Sequence, residues 1–236
     1  MHWIDYLKNT RSRLDIHYKD NLEEYYYPNR FICSLAYCAT FFQNLKKGYR
    51  IRFEDIDRLE DISNQGHIIM PNHKHASDIG IVMHYIVRRY KTFPIWLAAA
   101  DLLYYISRGG AIPIHRHKDF KAMGQEEHKI AEDYLFKTLP RYCLSYMQNS
   151  KNPRNLVVFP EGKRVREEVI GKVPDSFPEF IMHFPEDIKI FPLGIRYSGK
   201  GVIVRAGEAL DRGQVVKDCG LVLRQRLSSL SGYPVG

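Results

Sequence analysis

The sequence predicts an α/β layered domain, with a largely parallel central sheet flanked by helices and an N-terminal helical hairpin in front. Two observations carry that prediction. Short apolar runs of strand length recur at residues 67–71, 94–98, 111–114 and 156–159, and helix-length segments follow them. No internal repeat, low-complexity tract or linker interrupts the pattern.

The elements follow in order. Residues 2–47 read as helical: Trp3, Leu7, Leu14 and Tyr18 can share a face, Pro28-Asn29 is a break, and residues 31–45 form a second helix. This second helix is too short to cross a bilayer, which needs roughly 20 mostly apolar residues. Ser34, Thr40, Gln43 and Asn44 also interrupt it. Lys8, Arg11, Arg13, Arg30, Lys46 and Lys47 surround the hairpin with positive charge. Two compatible readings stay open. The hairpin covers one side of the domain, or it docks on an anionic bilayer, each near-surface cation contributing roughly 1 kcal/mol. Residues 1–20 mix charges and lack the apolar centre of a secretory signal. The expected division is residues 1–48 as a helical, membrane-docking segment and residues 49–236 as the main domain.

Residues 49–53 alternate like a strand, and residues 67–71 form a short apolar strand. Residues 79–90 continue as a helix. A buried strand is expected at 94–98, a helix from Asp101 and a strand at 111–114. Residues 118–148 read as mostly helical, with a break near Pro140. Strands at 156–159, 188–194 and 201–205 precede a closing helix at 215–230.

A chain of 236 residues is one large domain, or one with an appendage. Its 44% hydrophobic and 26% charged residues are ordinary for a globular fold and argue against general disorder. The net charge of +8 favours an anionic partner: nucleic acid, an anionic membrane or an anionic small substrate. Nucleic acid is disfavoured, because neither zinc-finger spacing nor an RNA-binding aromatic motif is present. Sixteen Tyr and two Trp suit a membrane interface as well as an ordinary core. Cys33, Cys38, Cys143 and Cys219 form no C-x-x-C pair and read as free thiols in a reducing compartment.

The chemistry concentrates in two blocks. The first runs Met70-Pro-Asn-His-Lys-His-Ala-Ser-Asp78, the second Phe159-Pro-Glu-Gly-Lys-Arg164. Neutral imidazole suits removal of a hydroxyl proton. A carboxylate accepting from Nδ1–H fixes its tautomer and leaves Nε2 for the substrate. Residues five apart on one helix point away from each other. His73 therefore belongs in the strand-to-helix loop and Asp78 in the first helical turn, where loop amides and a helix N-terminus favour an anion. The bland alternative makes Asn72 and Ser77 simple turn and cap residues. A rival reading joins His73-x-His75 and His115-x-His117 in a zinc-type site, but it leaves Asn72 and Asp78 unexplained. In the second block, Gly162 lets backbone approach a ligand closely. Glu161 can accept hydrogen bonds from acceptor hydroxyls or brace the loop, and Arg164 can bind phosphate in bidentate fashion.

In this order and at this separation the blocks resemble the glycerolipid acyltransferase family, which includes 1-acylglycerol-3-phosphate acyltransferase and is marked by N-H-x-x-x-x-D and F-P-E-G-T-R blocks. The resemblance covers roughly residues 50–230. Gly109-Gly-Ala-Ile-Pro-Ile-His-Arg116 looks like the family's intervening block, Phe191-Pro-Leu-Gly-Ile-Arg196 like its late strand, and Val204-Arg-Ala-Gly-Glu208 like the strand and turn after it. It implies His73 as general base, Asp78 as its orienting partner, and Arg116, Glu161, Gly162 and Arg164 at the acceptor. It further implies transfer of a fatty acyl group from acyl-CoA or acyl-carrier protein to a hydroxyl of a glycerol-phosphate-type acceptor, without metal or redox cofactor. The enzyme would be peripheral on the cytoplasmic face of a membrane. Lys163 and Val165 depart from the family's usual Thr and Ser, and Ala99 stands where many relatives carry lysine. These departures keep an amine or non-phosphate acceptor open. A non-catalytic lipid-binding protein is a third reading, against which the intact His-Asp pair argues.

Overall fold

The computed structural model describes residues 30–59, 66–99, 110–114, 124–149, 151–218 and 220–236. The first hairpin helix, the helix from Asp101, Arg116 and its neighbouring histidines, and Cys219 lie outside the described residues. Within them the chain runs α1 (Arg30–Lys46), β1 (Arg50–Glu54), a short 3-10 turn, β2 (Ile68–Pro71), α2 (Asp78–Tyr90), β3 (Ile95–Ala99) and β4 (Ala111–Ile114). It continues with α3 (Gln125–Asp133), α4 (Leu139–Met147), β5 (Leu156–Val157), α5 (Ser176–Met182), β6 (Ile190–Ser198), β7 (Gly201–Ala206), α6 (Arg212–Lys217) and α7 (Leu221–Ser231).

The strands form one seven-stranded sheet in the order β1-β7-β6-β2-β5-β3-β4. Every neighbouring pair is parallel except β6 with β7. Parallel strands are covered on both faces and read as continuous apolar runs, and β2 is buried at all of its positions. Its side chains alternate between two cores. Ile68 and Met70 join the cluster under α4, α5 and α7, whereas Ile69 joins the one under α2. Ile81, Tyr85 and Ile86 present the inner stripe of α2 and are fully buried. Each such side chain contributes roughly 1.5–3 kcal/mol.

Helix α1 lies across α2 at close range. A Cβ at Gly80 would meet Thr40 Cβ at 2.6 Å, so the approach requires glycine. Tyr37 Oη lies 2.7 Å from His84 Nδ1, and Tyr37, Phe41 and Phe53 stack on the His84 ring. The other side of α1 is open: Leu35, Phe42 and Leu45 are 53%, 65% and 54% exposed. Among the described residues no helix is long and apolar enough to cross a membrane.

Three expected features take a different form. The break near Pro140 is a π-helical turn, Tyr134–Thr138, joining α3 to α4. Proline removes one amide and crowds the carbonyl four residues earlier, and a wider turn absorbs both without ending the helix. The closing helix is split into α6 and α7, because Gly220 takes a left-handed φ of 79° between them. An Asp211–Gln214 capping box sets the start of α6. Strand β6 runs on to Ser198, past the expected end at Gly194, because β7 pairs with it along Leu193–Ser198.

Candidate active site

Strand β2 ends at Pro71, and its neighbour β6 continues beyond it as a wall. Asn72, fully buried, ties the departing chain to that wall. Its Oδ1 accepts from the Ile195 amide at 2.6 Å and its Nδ2 donates to the Ile195 carbonyl at 3.0 Å. A side-chain amide here takes the place of backbone pairing, so the chain can turn out of the sheet. His73 follows in the loop, and Asp78 opens α2.

The two meet as the spacing predicts. His73 Nδ1 lies 3.0 Å from Asp78 Oδ2. Asp78 is fully buried, whereas the His73 side chain keeps 13% exposure. Because a buried carboxylate accepts, Nδ1 carries the proton and Nε2 is the basic nitrogen. Among the described residues Nε2 has no hydrogen-bond partner. The same Oδ2 also accepts from the amides of Lys74 at 2.6 Å and His75 at 2.8 Å. The opposite oxygen, Oδ1, accepts from the hydroxyl of Tyr197 on β6. Burial and the adjacent Asp78 charge push the Tyr197 phenol well up, so it stays a donor.

The second block clamps the first. Glu161 is 3% exposed. Its Oε2 accepts from the His73 amide at 2.7 Å and its Oε1 from the Gly171 amide at 2.8 Å. Burial raises its pKa, opposed by these two amides and by the nearby Lys74 charge. The Val165 amide returns a bond to the His73 carbonyl at 2.9 Å. A Cβ at Gly171 would meet Val165 Cγ2 at 2.5 Å, so a larger residue there would push the Val165 side chain aside. Gly162 turns this loop at a φ of 63°, its amide donating to Phe159. The amides of residues 73, 74 and 75 are thus committed to carboxylates. None of the three is left over to receive a bound anion.

Lys74 carried no expected role, yet it is buried inside this frame. Its Nζ donates to the carbonyls of Glu167, at 2.9 Å, and Val169, and lies 4.9 Å from the centre of the Tyr233 ring. Burial lowers its pKa, against the pull of Glu161 and Asp78. Lys163, Arg164 and Arg166, in contrast, are exposed on the same segment. The Phe159 ring lies 4.3 Å from that of His73. Phe159 also lines a small apolar recess with Ile79, Val82, Met83, Pro94, Trp96 and Val157.

The structure therefore brings together His73, Asp78, Glu161 and Gly162, with Arg164 beside them. Arg116 lies outside the described residues. So do His115 and His117, and among the described residues no group of three His, Cys, Asp or Glu side chains could hold a metal. His75 packs against the Tyr197 ring at 4.3 Å. Sequence reasoning missed Tyr197 and Lys74. The alternation of Leu193, Ile195 and Tyr197 on one face of β6 was the available signal for the first, but only strand order shows which loop that face meets.

Comparison with known proteins bears on family and fold. No curated protein matches the chain by sequence. Among solved structures the chain is similar to the 1-acyl-sn-glycerophosphate (LPA) acyltransferase PlsC from Thermotoga maritima. The TM-score is 0.52 at 10% identity, covering 96% of this chain and 97% of that one. That likeness is one of fold. The profile of the family described as Acyltransferase matches residues 50–196, which holds both motif blocks, and the chain belongs to that acyltransferase family.

Proposed function

We propose that the protein moves a fatty acyl group from acyl-CoA or acyl-carrier protein to a hydroxyl of a glycerol-phosphate-type acceptor such as 1-acylglycerol-3-phosphate. The observation that carries this reading is the His73–Asp78 pair, locked at Nδ1 and open at Nε2. Nε2 takes the acceptor's hydroxyl proton as the oxygen attacks the thioester carbonyl. Asp78 stabilises the imidazolium that forms. The tetrahedral intermediate then expels the thiolate, which takes the proton back from Nε2. The products are the ester and the free thiol. This route needs no metal or redox cofactor.

The surroundings suit the substrates. A small apolar recess adjoins the base through Phe159, and its lining suits contact with an acyl chain. Arg164, with Lys163 and Arg166 beside it, offers exposed cations for an acceptor phosphate, and Arg116 is proposed to join them. The exposed Leu35, Phe42 and Leu45, with Lys46 and Lys47 at the end of α1, suit peripheral docking on an anionic bilayer, proposed to be the cytoplasmic face. Lysophospholipid would be collected there.

The test is thiol release from palmitoyl-CoA and from acyl-carrier protein with 1-acylglycerol-3-phosphate, comparing the native protein with His73→Ala. Acceptor-dependent release should fall about 10²–10⁴-fold in the variant. Near-normal turnover in folded His73→Ala would sink the assignment. Ala99 and Lys163 motivate a second reading, an amine or non-phosphate acceptor, and activity confined to acceptors lacking phosphate would replace the first with it.

A further inference from the structure

We infer that Tyr197 is a positioning residue of this reaction, holding through its hydroxyl the carboxylate that orients the His73 imidazole; the inference rests on the His73–Asp78 reading above. Asp78 lies out of reach of solvent. Its side chain is fully buried, so each oxygen depends on protein donors. Oδ2 has three: His73 Nδ1–H and the amides of Lys74 and His75. Oδ1 has one among the described residues, the Tyr197 hydroxyl.

The two sets of donors differ in kind. Those on Oδ2 all come from residues 73–75, the segment whose geometry the carboxylate has to fix. They move with the loop and cannot hold it against the rest of the protein. Tyr197 comes from β6, a strand inside the sheet, 119 positions away. It anchors the carboxylate to the rigid part of the molecule.

Tyr197 is itself restrained on three sides. The His75 ring meets it edge-on at 4.3 Å, the Tyr49 ring at 5.6 Å, and its amide donates to the Tyr233 hydroxyl at 3.1 Å. The phenol also shares the Asp78 charge with the imidazole. Its loss leaves Oδ1 buried without a donor. The carboxylate then turns, and both the angle and the strength of the His73 bond change.

The experiment uses Tyr197→Phe, with Tyr49→Phe as a control that removes a neighbouring hydroxyl without touching Asp78. Three quantities are read: kcat, KM for both substrates, and the low-field NMR resonance of the His73 Nδ1 proton, assigned by its disappearance in His73→Ala. Tyr197→Phe should lower kcat about 10-fold, the scale of a lost hydrogen bond to a charged group, with little change in KM. The Nδ1 resonance should move or broaden, while Tyr49→Phe leaves it in place. A merely structural role for Tyr197 would lower the melting temperature without displacing that resonance.

An unmoved resonance with native kcat in Tyr197→Phe, while His73→Ala is inactive, overturns the Tyr197 assignment and leaves the proposed function standing. Turnover retained in His73→Ala overturns both. Should Tyr197→Phe not fold, 3-fluorotyrosine at position 197 keeps the ring and strengthens the donor. A His73 resonance unmoved by that replacement also rejects the assignment.

Discussion

Two loops meet at the site, and they are built on opposite plans. The loop from Asn72 to Asp78 spends its polar groups inward. Asn72 binds β6, the amides at 73, 74 and 75 bind carboxylates, and Lys74 caps two carbonyls. The loop that begins at Phe159 shares this at Glu161, then turns outward through Lys163, Arg164 and Arg166. The difference separates two demands. In the proposed reaction the base must stay within tenths of an ångström of its geometry, which a satisfied and buried network provides. Residues that meet a charged ligand must remain hydrated and reachable until it arrives.

Glu161 is the point at which the two loops share one plan. After the loss of His73 itself, Glu161→Ala should have the largest effect. It strips the acceptor from two inward amides, each at a cost of about 1–3 kcal/mol. Melting temperature and kcat should fall together, measured by thermal unfolding and thiol release. Native stability with native kcat would show that the clamp does not hold His73.

Arg164→Ala sharpens the contrast from the other side. An exposed phosphate contact should raise the acceptor's KM about 10-fold or more, the scale of a charged hydrogen bond, and leave the melting temperature within a degree or so. A fall in kcat at unchanged KM would move Arg164 into the catalytic machinery instead.

Helix α1 repeats the same division on its two faces. Phe42→Ser with Leu45→Ser removes apolar surface from the exposed face. Co-sedimentation with vesicles containing anionic phospholipid should weaken several-fold, with activity on short-chain, dispersed acceptor unchanged. Undiminished vesicle binding would remove this face from the docking surface.

The smallest effect is expected on the packed face. Burial, with Arg88 nearby, lowers the pKa of His84 below its ordinary 6.5. A base depressed in the folded state contributes stability that is full above its unfolded pKa and lost as pH falls through the folded one. The native protein should therefore lose slightly more stability below about pH 6 than His84→Gln does, read from melting temperature against pH. Parallel pH curves for the two would show that His84 titrates alike in both states.

What was legible in the sequence was what short stretches decide. Apolar runs of strand length located the strands, and the placement of His73 in the loop and Asp78 on the first helical turn followed from a five-residue spacing. What was not legible depends on residues far apart. Pro140 reads as a break until the helix is seen to absorb it in a π turn. Strand β6 ends early on its own pattern, because its last residues are held by β7 rather than by their own apolar run.

The sequence by itself determined the layered α/β class and the loop-and-helix seat of the His-Asp pair, because each rests on local backbone geometry and nearby spacing. Only the tertiary structure decided that Glu161 clamps the His73 amide across 88 positions and that Tyr197 closes on Asp78 across 119. The physical reason is strand order: β6 and β5 flank β2, so the chain following β5 and the far end of β6 arrive on either side of one loop.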